Sequence, residues 1–196
     1  MLFVHIQKTG GSSLTQLLKE HIPDAQQIGG THDHALWIRD QFASTWPSLF
    51  KFAFVRNPWD RLVSWYMMMQ QNLGRSDLRF WLYIRTHAST FEEFILNCPD
   101  IIDDVDGRKS LWFNQLDYLS DEKGNLIVDY VGRYEHFEND VQHVLNKLQL
   151  SNVVVPYTNK SNHYHYSVYY SEKTRNIVSE RYARDIEFWG YRFETF

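Results

Sequence analysis

The chain has a single cysteine, Cys98, in 196 residues. No intrachain disulfide can form, so the fold does not depend on an oxidising compartment. There is no Gly-Lys-Ser or Gly-Lys-Thr. That excludes the common nucleotide-phosphate loop, in which the lysine follows the second glycine. Neither H-E-x-x-H nor C-x-x-C occurs, so the usual zinc signatures are missing. No apolar run is long enough to span a bilayer, and no charged-then-apolar leader opens the chain. The formal charge of −4 argues against broad nucleic-acid binding. No repeat, low-complexity tract or linker divides the chain. One domain over 1–196, long enough for a substantial core, is the expectation.

What is present concentrates in two segments. The chain opens with an apolar strand, Leu2-Phe3-Val4-His5-Ile6, followed by the loop Gln7-Lys8-Thr9-Gly10-Gly11-Ser12-Ser13 and an amphipathic helix from about Leu14. A strand, a small-residue loop and a helix make a cradle for phosphate or sulfate. The first N–H groups of the helix lack intrahelical partners, and the dipole adds positive charge there. Gly10 and Gly11 let the backbone wrap an anion. Thr9, Ser12 and Ser13 offer hydroxyls, and Lys8 offers a full charge. Here the lysine precedes both glycines, at the carboxyl end of the strand.

The second segment is Phe52-Ala53-Phe54-Val55-Arg56-Asn57-Pro58-Trp59-Asp60-Arg61-Leu62-Val63-Ser64. Residues 50–55 read as a buried strand, Asn57 as an N-cap and Pro58 as the first helical residue. Arg56 falls where strand gives way to helix, the edge at which open parallel sheets bind ligands. Its planar fork suits phosphate oxygens. Ser64 lies two helical turns farther on. A plainer alternative pairs Arg56 with Asp60 and leaves Ser64 as helix filling.

Together the two segments resemble the sulfotransferases that use 3′-phosphoadenosine 5′-phosphosulfate (PAPS), most closely the carbohydrate branch with the heparan sulfate 2-O- and 6-O- and chondroitin-type enzymes. His5-Ile6-Gln7-Lys8-Thr9-Gly10-Gly11-Ser12-Ser13 is similar to that family's 5′-phosphosulfate loop, and Phe54 to Ser64 to its 3′-phosphate segment. The resemblance implies a P-loop-like, three-layer α/β fold, with a central, mainly parallel sheet and helices on both faces. It implies that Lys8 contacts the phosphosulfate and assists the leaving group, and that Arg56 and Ser64 hold the 3′-phosphate. Looser similarity extends over Asp129 to Glu135 and Asn159 to Phe193. A family loop near Asn159–Tyr166 can close over the nucleotide, which puts Lys160 or Ser161 against phosphate. Lys8, Arg56 and Arg61 together would make a locally basic crevice.

Sulfuryl transfer to an alcohol also asks for a base, and histidine suits that task near neutral pH. The candidates are His32 and His34 in Gly29-Gly30-Thr31-His32-Asp33-His34-Ala35, with Asp33 as a possible N-cap of the helix that follows. The family's base histidine precedes a short helix at a similar place. Matching His32-x-x-Ala35-x-x-Ile38 to it favours His32, while His34, followed directly by an alanine, stays in competition. His32/His34 and His163/His165 are each half of a possible zinc site, but no metal is expected. Asp103, Asp104 and Asp106 lack the later glutamate of a calcium loop. The segment from Met67 to Ser89, with Arg75, Arg79, Trp81 and Arg85, is the expected wall of an acceptor site.

The remaining elements read as alternating strands and helices, which implies a parallel sheet covered on both faces. Helices are expected over 13–21, 34–44, 58–71, 90–97, 137–148 and, from a cap at Ser171 to a stop at Gly190, the end of the chain. Strands are expected over 2–6, 50–55, 126–132 and 153–155, with a hairpin turn at 122–125. The sequence thus reads as a PAPS-dependent enzyme acting on a hydroxyl, with a saccharide as the expected acceptor. It is expected to be soluble and cytoplasmic in the bacterial manner, unless the chain is an excised catalytic domain. Its oligomeric state is open. The alternatives are a non-catalytic nucleotide- or sulfated-glycan-binding module and an atypical P-loop phosphotransferase.

Overall fold

The computed structural model describes residues 1–71, 86–97, 102–104, 107–109, 111, 113–150, 153–155 and 164–195. Lys160, Ser161, His163, Cys98, Asp106 and the acceptor-wall residues Arg75, Arg79, Trp81 and Arg85 lie outside them. The chain divides into two compact units. The first is Met1–Arg56 with Gln115–Lys160; the second is Asn57–Asn114 with Ser161–Phe196.

The first unit is built on three parallel strands, β1 (Leu2–Val4), β2 (Lys51–Val55) and, numbered in chain order, β5 (Tyr130–Arg133). The spatial order is β1-β2-β5, with Phe3 opposite Phe52 and Val55 opposite Arg133. Helix α1 (Gly11–His21) and helix α5 (Phe137–Lys147) cover one face. Leu14, Leu17 and Leu18 of α1 and Val141, Val144 and Leu145 of α5 meet Phe52 and Phe54 there. Each such side chain contributes about 1.5–3 kcal/mol by leaving water. All five residues of β2 are buried, as a central strand covered on both faces requires. The short α2 (Ala35–Gln41) belongs to this unit too.

Several boundaries differ from the sequence expectation for identifiable reasons. β1 stops at Val4 because the next two carbonyls are taken by side chains: His32 Nδ1 bonds the oxygen of His5, and the Thr9 hydroxyl donates to Ile6. Asp33 is not the cap of α2; His34 holds that position, and the Asp33 carboxylate turns back to accept from Gly30 N–H at 2.6 Å. At 118–128 there is no hairpin of strands. A turn braced by the Asp121 carboxylate carries a single bridge, Ser120 to Leu126. Residues 153–155 form no strand; Val153 packs into the core while Val154 faces solvent.

The second unit holds α3 (Pro58–Gln71), α4 (Phe91–Asn97), a short antiparallel ribbon of β3 (Ile102–Asp104) and β4 (Gly107–Lys109), α6 (Glu172–Arg181) and α7 (Ala183–Trp189). The Asn57 side chain caps α3 as its position suggested, accepting from Trp59 N–H at 3.1 Å. Thr90 and Glu93 form the expected capping box on α4. Phe193 sits edge-on to Trp59, Tyr166 and Tyr170, at ring distances of 5.4–5.5 Å. The long C-terminal helix is in fact two. The amide of Asn114 donates to Arg181 O and accepts from Asp185 N–H, replacing the i→i−4 bond those two groups would share. A side chain inserted into the ladder breaks a helix at that point. Gly190, at φ 67°, ends the second piece. Among the described residues no helix is long and apolar enough to cross a membrane.

Candidate active site

The loop after β1 is shaped by two left-handed residues, Lys8 at φ 65° and Gly10 at φ 87°. The conformation costs a lysine about 1–2 kcal/mol, so the surrounding bonds must hold it there. Gly10 precedes α1 with no side-chain cap, and no acidic residue stands in the first turn. The first helical bond runs from Leu14 N–H to Gly10 O. The N–H groups of Gly11, Ser12 and Ser13 come before it, at the positive end of the helix. Both glycines are sterically required. A Cβ on Gly10 would lie 2.6 Å from the Phe137 ring, and one on Gly11 2.0 Å from the His5 ring. The Thr9 hydroxyl proton is directed inward to Ile6 O at 2.9 Å. In this geometry Thr9 offers an anion its backbone rather than its side chain. Ser13 is buried and Ser12 exposed.

Arg56 follows β2 and reaches the same loop. Its Nη1 donates to Lys8 O at 3.2 Å, and its guanidinium lies 4.0 Å from the centre of the Tyr134 ring, a cation–π contact. Arg56 is 3% exposed. Burial, and then the charge of Arg56, push the Lys8 ammonium down to about 8. Two cations that act on each other's charge at the start of a helix form a place that favours an anion.

His32 is tied to the approach to this loop. Its Nδ1 lies 2.8 Å from His5 O. A carbonyl oxygen only accepts, so Nδ1 carries the proton and neutral His32 keeps its lone pair on Nε2. The His5 ring stands edge-on to His32 at 4.6 Å and stacks on Phe3 at 5.5 Å. Burial, and secondarily His32, push His5 down to about 3, so it stays neutral near physiological pH. His34 has a different setting. It packs on Tyr118 at 4.3 Å, and burial lowers its pKa against the raising influence of Asp117 and Asp33.

A family model described as "Sulfotransferase family" matches residues 1–192. The chain belongs to the sulfotransferase family. This sulfotransferase shares its fold with a solved structure, mouse sulfotransferase SULT7A1 complexed with PAP. The TM-score is 0.55 and the identity 17%, over 94% of this chain and 83% of that one. A sulfotransferase from Alicyclobacillus acidocaldarius matches with TM-score 0.47 and 20% identity, over 95% and 92% of the two chains. No curated relative matches the chain.

In this sulfotransferase the fold brings Lys8, Thr9, Gly10, Gly11, Ser12, Ser13 and Arg56 to the carboxyl ends of two neighbouring parallel strands, with His32 tied to the loop's approach. Ser64 is buried on α3, in the second unit. Arg61 belongs to the second unit. It is wholly buried there, donates to Phe113 O and lies 5.9 Å from the Tyr182 ring. Among the described residues no three His, Cys, Asp or Glu side chains gather as a metal site. Three residues of the arrangement went unread in sequence: Tyr134 against Arg56, His5 against Gly11, and Gln115, which bonds the Arg56 backbone. Two of them left a trace: Tyr134 lies in the segment Asp129 to Glu135 and His5 opens the loop motif, both similar to the family.

Proposed function

We propose that the protein transfers a sulfuryl group from PAPS to a hydroxyl, with a carbohydrate as acceptor, and that residues 1–196 act as one sulfotransferase domain. The observation that carries this reading is the pair of cations, Lys8 and Arg56, joined through the Lys8 carbonyl beside a glycine-lined helix start. The PAP in the mouse relative supports the choice of donor. In this scheme the loop of Lys8, Thr9, Gly10, Gly11, Ser12 and Ser13 holds the 5′-phosphosulfate. Arg56 and Ser64 hold the 3′-phosphate, with Lys160 on the nucleotide as well. The acceptor oxygen attacks sulfur, the bond from sulfur to the phosphate oxygen breaks, and the bisphosphate leaves with its new charge stabilised by Lys8. The acceptor proton goes to Nε2 of His32, with His34 as the competing base. No metal takes part.

Calorimetric titration with 3′-phosphoadenosine 5′-phosphate (PAP), 5′-AMP and ATP with magnesium tests the reading. The expected order is tight PAP binding, weaker 5′-AMP binding, and loss of the difference in Arg56→Ala. Preference for ATP with magnesium would make the protein a phosphotransferase. Binding of PAP without any turnover of PAPS across an acceptor screen would make it a non-catalytic module.

A further inference from the structure

Arg56 is the last residue of the first unit before the chain leaves it, and Gln115 is the first on its return. Their contact is unusual in form. Arg56 N–H donates to Gln115 Oε1 at 2.8 Å, and Gln115 Nε2 donates to Arg56 O at 2.8 Å. One side-chain amide therefore satisfies both backbone groups of one residue, as a neighbouring strand would. The pairing of β2 with β5 ends at Val55 and Arg133. Arg56 lies just beyond, where the ladder no longer sets its backbone, and Gln115 takes over that task.

Gln115 is 0% exposed. A buried amide is tolerated only where its bonds are made, and an apolar side chain would fill the space as well if packing were the sole demand. What the amide adds is a defined position for the Arg56 Cα. From there the guanidinium extends to Lys8 O and lies against Tyr134. A long side chain magnifies any shift at its root, and small misplacements of a binding group are costly.

We propose that Gln115 is a positioning residue for Arg56: its side-chain amide aims the arginine fork that recognises the 3′-phosphate of the nucleotide. This rests on the reading of Arg56 as the 3′-phosphate ligand. The prediction concerns selectivity. Loss of the amide should weaken binding of the nucleotide that carries a 3′-phosphate and spare the one that lacks it.

The experiment measures the dissociation constants of PAP and 5′-AMP by calorimetry for the full chain and for Gln115→Met, Gln115→Glu and Arg56→Ala. Gln115→Met keeps length and removes both bonds. PAP should bind about tenfold or more weakly and 5′-AMP within about threefold of the parent. Gln115→Glu keeps the acceptor for Arg56 N–H, and its PAP/5′-AMP ratio should fall less; it serves if the methionine variant does not fold. Equal weakening of both nucleotides, or an unchanged ratio in the folded variants, would overturn the proposal while Arg56→Ala still collapses the ratio. An unchanged ratio in Arg56→Ala itself would overturn the reading of Arg56, and the role of Gln115 with it.

Discussion

The loop after β1 and the arginine after β2 are neighbours that hold charge in opposite ways. The loop works through its backbone. Two left-handed residues, two glycines with no room for a Cβ and an uncapped helix start do the shaping, and one lysine supplies the charge. Arg56 works through its side chain, and its surroundings do the shaping: Gln115 on its backbone, Tyr134 under its guanidinium, and the Lys8 carbonyl at one nitrogen. The loop's approach also holds His32, the base of the proposed reaction, through its bond to His5 O. The contrast suggests a division of labour in which the loop side serves the reaction and the arginine side serves grip.

The strongest way to break that division is at Lys8. Lys8→Gly keeps the left-handed backbone, relieves its strain and removes the amine. PAPS turnover should fall by about 10²–10³-fold or more, while the preference for PAP over 5′-AMP survives. Thermal unfolding should show a protein as stable as the parent or more so. A near-normal rate would end the assignment of Lys8 to the leaving group.

The histidines sharpen the comparison next. His32→Ala should slow turnover by about 10²-fold or more, with PAP affinity little changed. The same result confined to His34→Ala would move the base to the start of α2 and detach it from the loop.

The smallest expected effect concerns protons. Lys8 is held at about 8, below its ordinary 10.5, so the unfolded chain binds more protons between those values. From this group alone, stability rises with pH across that window. A bound anion should raise the Lys8 pKa again. Titration of PAP near pH 8, in buffers of different ionisation enthalpy, should therefore register uptake of part of a proton. Lys8→Gly should abolish the uptake. Uptake that persists in Lys8→Gly would place the titrating group elsewhere.

Much of both units was legible where the signals are local. The strand, loop and helix over residues 2–21, the cap at Asn57 and the capping box at Thr90 depend on neighbours in sequence. The errors came where a distant side chain intervened. Asn114 split a helix that reads as continuous from Ser171 to Gly190, and His32 and Thr9 ended β1 early. Arg61 has the same composition signal as Arg56, yet one is a core residue of the second unit and the other faces the loop.

By itself, the sequence determined the kind of site: a glycine loop with its lysine in front, and an arginine at a strand end, because chain geometry at strand–helix junctions follows from residue type and spacing. Only the tertiary structure decided how those groups are held. It chose which nitrogen of His32 keeps its lone pair, bent the Thr9 hydroxyl inward, and set Gln115 on Arg56 across 59 residues. Such bonds join positions far apart in the chain. Their partners are selected by which buried polar groups must be satisfied once the core has closed, and no local pattern records that selection.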